Sequence, residues 1–262
     1  MKMLKKRLIP KILIENKIIA GHEYPILVTT HQFDKRHFVG DPVSQARIYQ
    51  AQLVDELIFL NIDKQMNSIT ILLDILKSVS KEVFMPITVG GGVREITHVK
   101  HLLSHGADKV SINSAALKNP LFISDVADIF GSQCVVVSID YTIIDDVAYV
   151  VDNGQVRQDL SLIEWLKKCE SLKAGEFLLT SVDNDGTSSG MDVDIANLAA
   201  KTVSRPIIFS GGCGLTSHFI DIFKKTDVDA IAAATYFCHK DENPMQTRAQ
   251  IHNAGIPIRT CL

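Results

Sequence analysis

Short apolar runs alternate with segments of helical periodicity along the whole chain. The runs are rich in valine, isoleucine and leucine, which predicts buried strands. Eight of them recur: RLIPKILI, ELIFLNI, PITVG, DKVSIN, CVVVSID, EFLLTSV, PIIFS and DAIAAA. Amphipathic stretches such as SQARIYQAQL, EITHVKHLLSHG and SLIEWLKKCESL lie between them. Strands that alternate with helices form a parallel sheet, and eight such units in about 250 residues are typical of a (β/α)8 TIM barrel.

The second half of the chain repeats landmarks of the first. PITVGGGVR at 86–94 returns as PIIFSGGCG at 206–214, and DELIFLNID at 55–63 returns as GEFLLTSVD at 175–183, both 120 positions later. Offsets of 120 and 121 align three polar pairs: Glu56 with Glu176, Asp63 with Asp183, and Ser114 with Thr235. Any two barrel strands look somewhat alike, but landmarks repeated in the same order favour a barrel built from two half-barrel repeats.

No linker rich in proline, glycine or serine divides the chain, so we predict a single domain over residues 1–262. Residues 21–42 follow the first predicted strand and are long for a barrel loop. Long loops at a barrel mouth are often mobile lids over substrate, and a solvated loop is the alternative. We therefore predict a long mobile loop at 21–42.

Glycine clusters follow the third and seventh predicted strands. In such barrels the chemistry lies at the C-terminal ends of the strands, where phosphates bind the last loops. Glycine lets backbone N–H groups approach an anion, and a hydroxyl at a helix start adds a donor. A tight turn would explain either cluster alone, but the duplicated pair predicts two phosphate-binding cups for one two-headed substrate. The first contains Gly90, Gly91, Gly92 and Ser114, and the second contains Gly211, Gly212 and Thr235.

Carboxylates end the fifth and sixth predicted strands. Asp140 is placed for general acid or base catalysis, with a loop cap as the alternative. Asp183 and Asp185 lie near Gly186, and one of them would orient a substrate, although an Asp-Gly pair also makes turns. We predict Asp183 as the second catalytic residue beside Asp140. In the half-barrel alignment Leu13 takes the position of Asp140, so one member of an acid–base pair is absent. Glu15 replaces it only if the chain turns that side chain inward.

The composition excludes several partners. A net charge of −3, a pI near 6.3 and scattered basic residues predict neither nucleic acid nor membrane binding. No apolar run reaches the roughly 18 residues of a membrane span. Five cysteines without CxxC spacing argue against a disulfide framework or a thiolate zinc site. We therefore predict a cytoplasmic protein without a metal or another cofactor.

The chain resembles the cyclase subunit of imidazole glycerol phosphate synthase over nearly its full length. The matching motifs are KKRLIP, GDP at 40–42, VDELIFLNID, ITVGGGVR, GADKVSINSAA, FGSQCVVVSID, KAGEFLLTSVDNDGTSSG and IIFSGGCG. The related isomerase of histidine synthesis shares the half-barrel plan, but LLTSVDNDGT is more similar to the cyclase. The resemblance implies a barrel that receives ammonia from a glutaminase subunit at its N-terminal face and binds a phosphate-bearing small molecule at its mouth.

The resemblance also assigns individual residues. It implies an ammonia gate of four charged side chains, for which a structural salt-bridge cluster is the alternative, and a contact of Asp108 with the glutaminase. The gate residues are Arg7, Glu56, Lys109 and Glu176. The implied phosphate contacts are Gly91, Gly92, Ser114, Gly186, Gly212 and Thr235.

Two departures from the family pattern stand out. The family's first catalytic aspartate falls on Leu13, and a substrate-binding lysine falls near Ala20, whereas Asp140 remains. This combination is similar to a paralogous branch linked to acetamidino modification of surface-polysaccharide sugars, which is the function we predict. The alternatives are the cyclase of histidine biosynthesis and, in another class, a non-catalytic ammonia conduit.

Overall fold

The structure is a computed structural model that describes residues 5–19, 21–63 and 69–259. These residues form twelve strands and ten α-helices. The strands are β1 Arg7–Ile19, β2 His22–His31, β3 Lys35–Gly40, β4 Leu57–Asn61, β5 Ile87–Gly90, β6 Lys109–Ile112, β7 Val135–Ile144, β8 Val147–Asp152, β9 Gln155–Ser161, β10 Glu176–Ser181, β11 Ile207–Ser210 and β12 Ala230–Ala233. The helices are α1 Pro42–Ala51, α2 Thr70–Val79, α3 Ile96–Ser104, α4 Ser114–Lys118, α5 Leu121–Phe130, α6 Leu162–Ser171, α7 Val193–Thr202, α8 Thr216–Lys225, α9 Thr235–His239 and α10 Pro244–Asn253.

Eight parallel strands close into a barrel in the order β1, β4, β5, β6, β7, β10, β11, β12, with β12 pairing back to β1. All eight strands predicted from the apolar runs are present, which confirms the (β/α)8 barrel. Every residue of β5, β11 and β12 is buried. This explains why these strands read as continuous apolar runs rather than alternating ones.

The strand register confirms the half-barrel alignment at the mouth. Leu13 pairs with Leu60, and Asp140 pairs with Thr180. Leu60 and Thr180 are themselves 120 residues apart, so the first strands of the two halves align at an offset of 127. Leu13 is therefore the structural counterpart of Asp140.

Most of residues 21–42 forms the two strands β2 and β3, where a long loop was predicted. Strand β1 continues beyond the barrel to Ile19 and pairs with β2, which pairs in turn with β3. The segment ILVTT within β2 is rich in β-branched residues, and it is buried because it packs over the mouth. The mobility of this segment remains a prediction.

The second half begins in the same way. Strand β7 continues to Ile144 and pairs with β8, which pairs with β9. This ribbon of β7, β8 and β9 was not predicted, because the fifth predicted strand ended at Asp140. Each half-barrel therefore starts with an extended strand and two antiparallel strands that rise above the mouth.

An apolar layer fills the barrel between its two ends. It contains Ile9, Ile58, Val136, Leu178, Ile208, Ala230 and Ala232. Charged side chains lie below this layer and polar side chains line the mouth above it. The helices in the described ranges are all too short or too polar to cross a membrane.

Candidate functional site

A cavity of about 740 Å³ occupies the mouth of the barrel. It lies at the C-terminal ends of the strands, where barrel enzymes carry their chemistry. Residues from both halves line it, including Lys11, Leu13, Gly91, Ser114 and Asp140. The structure therefore brings the predicted catalytic aspartate and the first predicted phosphate cup into one space.

Asp140 lies within β7 at this mouth, and the Nδ2 of Asn113 donates a hydrogen bond of 2.8 Å to its carboxylate. Burial raises the pKa of Asp140 to about 6, although the charge of Lys11 and the bond from Asn113 oppose the shift. A carboxyl group with such a pKa exchanges its proton close to neutral pH, as a general base or acid must.

The counterpart of this polar pair is apolar. Leu13 aligns with Asp140 and Ala234 aligns with Asn113, at offsets of 127 and 121. Leu13 and Ala234 lie in one buried cluster with Ile26 and Val28 of strand β2. Leu13 and Ala234 are both apolar where their counterparts are polar, so this side of the mouth lacks the whole hydrogen-bonded pair.

Glu15 does not replace the missing carboxylate. Its Oε1 lies 2.6 Å from Nη1 of Arg36 on strand β3, and Glu15 is absent from the cavity lining. The extended strand holds the side chain in this ion pair above the mouth. Ala20, the position near the family's substrate lysine, lies outside the described residues.

The first predicted cup opens into the main cavity. Gly91 and Gly92 have φ values of +94° and +77°, in the left-handed region that favours glycine. Ser114 lies at the start of helix α4, where its hydroxyl donates to Asp152 at 2.7 Å. The hydroxyl must turn away from this carboxylate before it donates to a phosphate. Two exposed cations, Arg94 and Lys118, line the same space.

The second predicted cup is smaller. Gly186, Gly211, Gly212 and Thr235 line a separate cavity of about 20 Å³. A space of this size holds about one water molecule. Gly211 and Gly212 have φ values of +103° and +90°, so the backbone repeats that of the first cup. The structure thus collects the second set of predicted phosphate contacts, but in a narrower space than the first set.

Strand β2 and the turn that follows it pack on the second half of the mouth. Thr30 donates to the Oδ2 of Asp185 at 2.5 Å, and the backbone N–H of Gln32 donates to the carbonyl of Asp185 at 2.8 Å. Asp185 is buried beneath this contact and lines the second cup. Its structural role is to hold strand β2 against the loop that follows β10.

Asp183 lies on the exposed rim, outside the residues that line the main cavity. Its carboxylate accepts hydrogen bonds from the Thr142 hydroxyl at 2.7 Å and the Ile143 N–H at 3.0 Å. Asp63, its counterpart, accepts from the N–H of Asn16 at 3.2 Å. Because Asn16 and Ile143 are also counterparts, this contact belongs to the half-barrel plan. A catalytic role for Asp183 remains a prediction.

The four predicted gate residues form a closed ring at the start of the strands. Arg7 lies 3.0 Å from Glu56 and 2.6 Å from Glu176, and Lys109 lies 3.0 Å from Glu56 and 2.7 Å from Glu176. Both glutamates are buried, whereas the two cations are partly exposed. Alternating charges leave the ring neutral, which offsets the cost of burying them.

Asp108 has a structural partner within the barrel. Its Oδ2 accepts a hydrogen bond of 2.8 Å from the N–H of Ile87. Asp229 accepts the equivalent bond of 2.9 Å from Ile207 in the second half. This repeated bond explains an aspartate at both positions. The predicted contact of the exposed Asp108 with a glutaminase remains a prediction.

Lys11 is a site residue that the sequence analysis missed. Its Nζ donates to the Ser210 hydroxyl at 3.0 Å, and its side chain lines both the main cavity and the second cup. Burial lowers the pKa of Lys11, while the negative charges of Asp185 and Asp140 oppose that shift. The available signal was strand alternation, because Ile9, Lys11 and Leu13 share the face of β1 that points into the barrel.

Within the described ranges, no group of three or more histidine, cysteine, aspartate and glutamate side chains is arranged to hold a metal ion. The described cysteines, namely Cys134, Cys169, Cys213 and Cys238, are free thiols.

Comparison with known proteins gives a family for this fold and site. The family described as histidine biosynthesis protein matches residues 19–243. A protein of Prochlorococcus marinus, provisionally named imidazole glycerol phosphate synthase subunit hisF2, is 47% identical over 98% of this chain and 99% of its own length. Imidazole glycerol phosphate synthase subunits HisF of Hydrogenobaculum and Bacillus cereus are 39% and 40% identical, each over 98% of this chain and 100% of its own length.

The chain therefore belongs to the histidine biosynthesis protein family, and it is similar over almost its whole length to the HisF subunits of that family.

Proposed function

We propose that the protein is the cyclase subunit of an imidazole glycerol phosphate synthase and acts in the cytoplasm. In this proposal it takes ammonia from a glutaminase subunit at the N-terminal face of the barrel and adds it to a phosphate-bearing small molecule at the mouth. The family membership and the HisF relatives support this function over the sugar modification predicted from Leu13.

The single observation that carries the proposal is the stacking of three layers along one barrel. A neutral ring of Arg7, Glu56, Lys109 and Glu176 lies below, the apolar layer lies in the middle, and Asp140 lies above. An ammonium ion pays a large desolvation penalty in an apolar layer, whereas neutral ammonia does not. The three layers therefore favour passage of neutral ammonia through the barrel to Asp140, whose carboxylate is able to accept a proton from it.

Asp140 is the proposed proton acceptor. When the nitrogen of ammonia forms a new bond, it becomes positively charged and must lose a proton. An ionised carboxylate is able to accept that proton. Since the acceptor must be ionised, turnover should fall as the pH drops below about 6, the pKa of Asp140. The two glycine cups are the proposed binding sites for the ends of the substrate.

The test is an assay of the purified chain with an ammonium salt and the precursor that the histidine-pathway cyclase uses. We expect an imidazole product, and we expect Asp140→Asn to lower the rate by about 10² to 10⁴. Asp145→Asn is the matched variant, because Asp145 is exposed in the turn between β7 and β8, outside the cavity lining, and its loss should change the rate less than about tenfold. Absence of the product with the unmodified chain would contradict this function.

A second candidate function is ammonia supply for acetamidino modification of a surface-polysaccharide sugar. The apolar cluster that contains Leu13 favours it, because a ring closure that needs two carboxylates then has one of them missing. Under this function the assay above gives no imidazole, whereas ammonium supports amidination of a nucleotide-linked sugar when a separate amidotransferase is added. Neighbouring genes give an independent test, since a histidine operon favours the first function and a polysaccharide cluster the second.

A non-catalytic conduit gives a third outcome of the same experiments. In that case Asp140→Asn leaves ammonia delivery to an acceptor enzyme unchanged, whereas in either synthase the substitution lowers product formation.

A further inference from the structure

Lys11 is a buried cation with few partners. Its side chain is 4% exposed, and a lysine ammonium carries three N–H donors. Among the described residues its one hydrogen bond goes to the Ser210 hydroxyl, at 3.0 Å, and none of the ion pairs within 4.0 Å includes it. Buried charges are ordinarily paired and fully hydrogen-bonded, so this ammonium has donors left for a ligand.

The position of Lys11 indicates the chemical class of the ligand that its ammonium binds. Ser210 ends strand β11 and directly precedes the turn of Gly211 and Gly212, so the ammonium lies beside the second cup. The same side chain lines the main cavity, where a substrate enters. A free ammonium next to backbone N–H groups at a glycine turn attracts a small anion such as a phosphate.

The charges around the second cup explain why a cation is needed there. Asp185 lines this cup and Asp140 lies across the mouth, and the negative charges of both act on Lys11. An anion bound near two carboxylates would be repelled unless a positive charge lay close to it. The first cup has the exposed Arg94 and Lys118 for this purpose, whereas Lys11 is the one lysine or arginine that lines the second cup in the described part of the chain.

We infer that Lys11 is an anion-binding residue, whose ammonium holds one phosphate of the substrate where the second cup meets the main cavity. The inference rests on the proposed function for the presence of a phosphate-bearing substrate. The cup itself has room for about one water, so the anion lies at its entrance, beside the ammonium. The resemblance to the cyclase subunit assigns no role to this position.

The test is a titration of the isotope-labelled full chain with inorganic phosphate, followed by NMR. The amide signals of Gly91 and Gly92 report on the first cup, and those of Gly211 and Gly212 report on the second. In the unmodified chain we expect both pairs to shift. In Lys11→Met we expect the affinity at the second cup to fall about 10- to 100-fold, with the first cup unchanged.

Two variants control this experiment. Lys118→Met removes the same charge from the exposed rim, and it should weaken only the first cup, by a few-fold. Lys11→Gln keeps a polar head without the charge, and it should lose phosphate as Lys11→Met does. It also keeps the test valid if the methionine variant does not fold.

The outcomes separate this inference from the proposed function. Phosphate binding at the second cup that is equally tight in both Lys11 variants overturns the inference, and so does binding of phosphate at the first cup only. Either result leaves a phosphate-bearing substrate in place. Absence of phosphate at both cups of the unmodified chain overturns the inference together with the two-headed substrate of the proposed function.

Discussion

Asp63 in the first half of the barrel and Asp183 in the second each accept a backbone N–H from the extension of the half's first strand. Asp108 and Asp229 likewise accept N–H groups from Ile87 and Ile207, which are 120 residues apart. These contacts recur although the side chains around them differ. A contact that is present in both halves has a structural role, because both halves have the same architecture.

The contacts that differ between the halves lie on the barrel interior. Lys11 in the first half corresponds to Ser138 in the second, and Leu13 corresponds to Asp140. Lys109 of the charged ring corresponds to Ala230 of the apolar layer, at an offset of 121. The fold does not require these side chains. We therefore expect them to carry the function that is specific to this chain.

The largest expected effect is a difference in stability between substitutions at the two equivalent glycine turns, at Gly91 and Gly211. A Cβ at Gly91 would lie 2.1 Å from the Asn61 carbonyl oxygen, and one at Gly211 would lie 2.8 Å from that of Ser181. We expect Gly91→Ala to lower the free energy of unfolding by more than about 3 kcal/mol and Gly211→Ala by about 2 kcal/mol, measured by urea denaturation. Gly40→Ala is the control, because it meets no atom within 4 Å, and it should change stability by less than about 0.5 kcal/mol. Equal losses at Gly91 and Gly211 would contradict the difference in packing.

The next effect comes from a substitution that gives both halves of the mouth an aspartate at equivalent positions. Leu13→Asp places a carboxyl group in the apolar cluster opposite Asp140, and we expect it to cost about 3 kcal/mol of unfolding free energy at pH 8. Burial raises the pKa of such a group above its unfolded value, so the cost should shrink as the pH falls towards 5 and the group is protonated in the folded state. Leu13→Asn cannot ionise, so its cost should be the same at both pH values. A pH-independent cost for the aspartate variant would show that its carboxyl group escapes to solvent.

A smaller effect tests the repeated backbone contact. Asp108→Ala and Asp229→Ala each remove one charge-assisted hydrogen bond, and we expect each to lower the free energy of unfolding by about 1 to 2 kcal/mol. If Asp108 also contacts a glutaminase, only the first substitution weakens binding of that subunit, which surface plasmon resonance would measure. Equal binding by both variants would leave Asp108 with its structural role alone.

A pH-dependent effect isolates the electrostatic cost of burying Asp140. Its folded pKa of about 6 exceeds the usual value of 3.8, so the folded state binds the proton more tightly and its stability falls as the pH rises from about 4 to 6. Asp140→Asn removes this cost, and we expect a gain of up to about 3 kcal/mol at pH 7.5 that disappears near pH 4. Thermal denaturation at the two pH values measures it. A gain of equal size at both would mean that the carboxylate is not destabilised by burial.

Much of the fold was predictable because its signals are local. A strand such as β5 or β11 is buried on both faces, so it must be apolar throughout and is visible as a run. The glycine clusters were visible for a similar reason, since a positive φ at Gly91 and Gly211 restricts the residue type directly.

The ribbons and the state of the site residues were not predictable in this way. Strands β2 and β8 pair with extensions of β1 and β7 above the barrel, and nothing within 21–42 indicates that its partner strand continues past Leu13. The interpretation of Ser114 as a free phosphate donor overlooked Asp152, because that carboxylate comes from the end of β8, which the sequence analysis did not predict.

The sequence by itself determined the barrel, its duplication and the charges at its lower end. Each segment shows its own burial in its apolar pattern, and the repeated spacing is visible without knowledge of how the segments pack. Only the tertiary structure decided how those segments face one another. It brought four charges from four distant parts of the chain into one ring, hydrogen-bonded Asp183 to the rim, and left Lys11 buried with a single hydrogen bond. Each of these depends on distances between strands far apart in the chain, and closure of the barrel sets those distances.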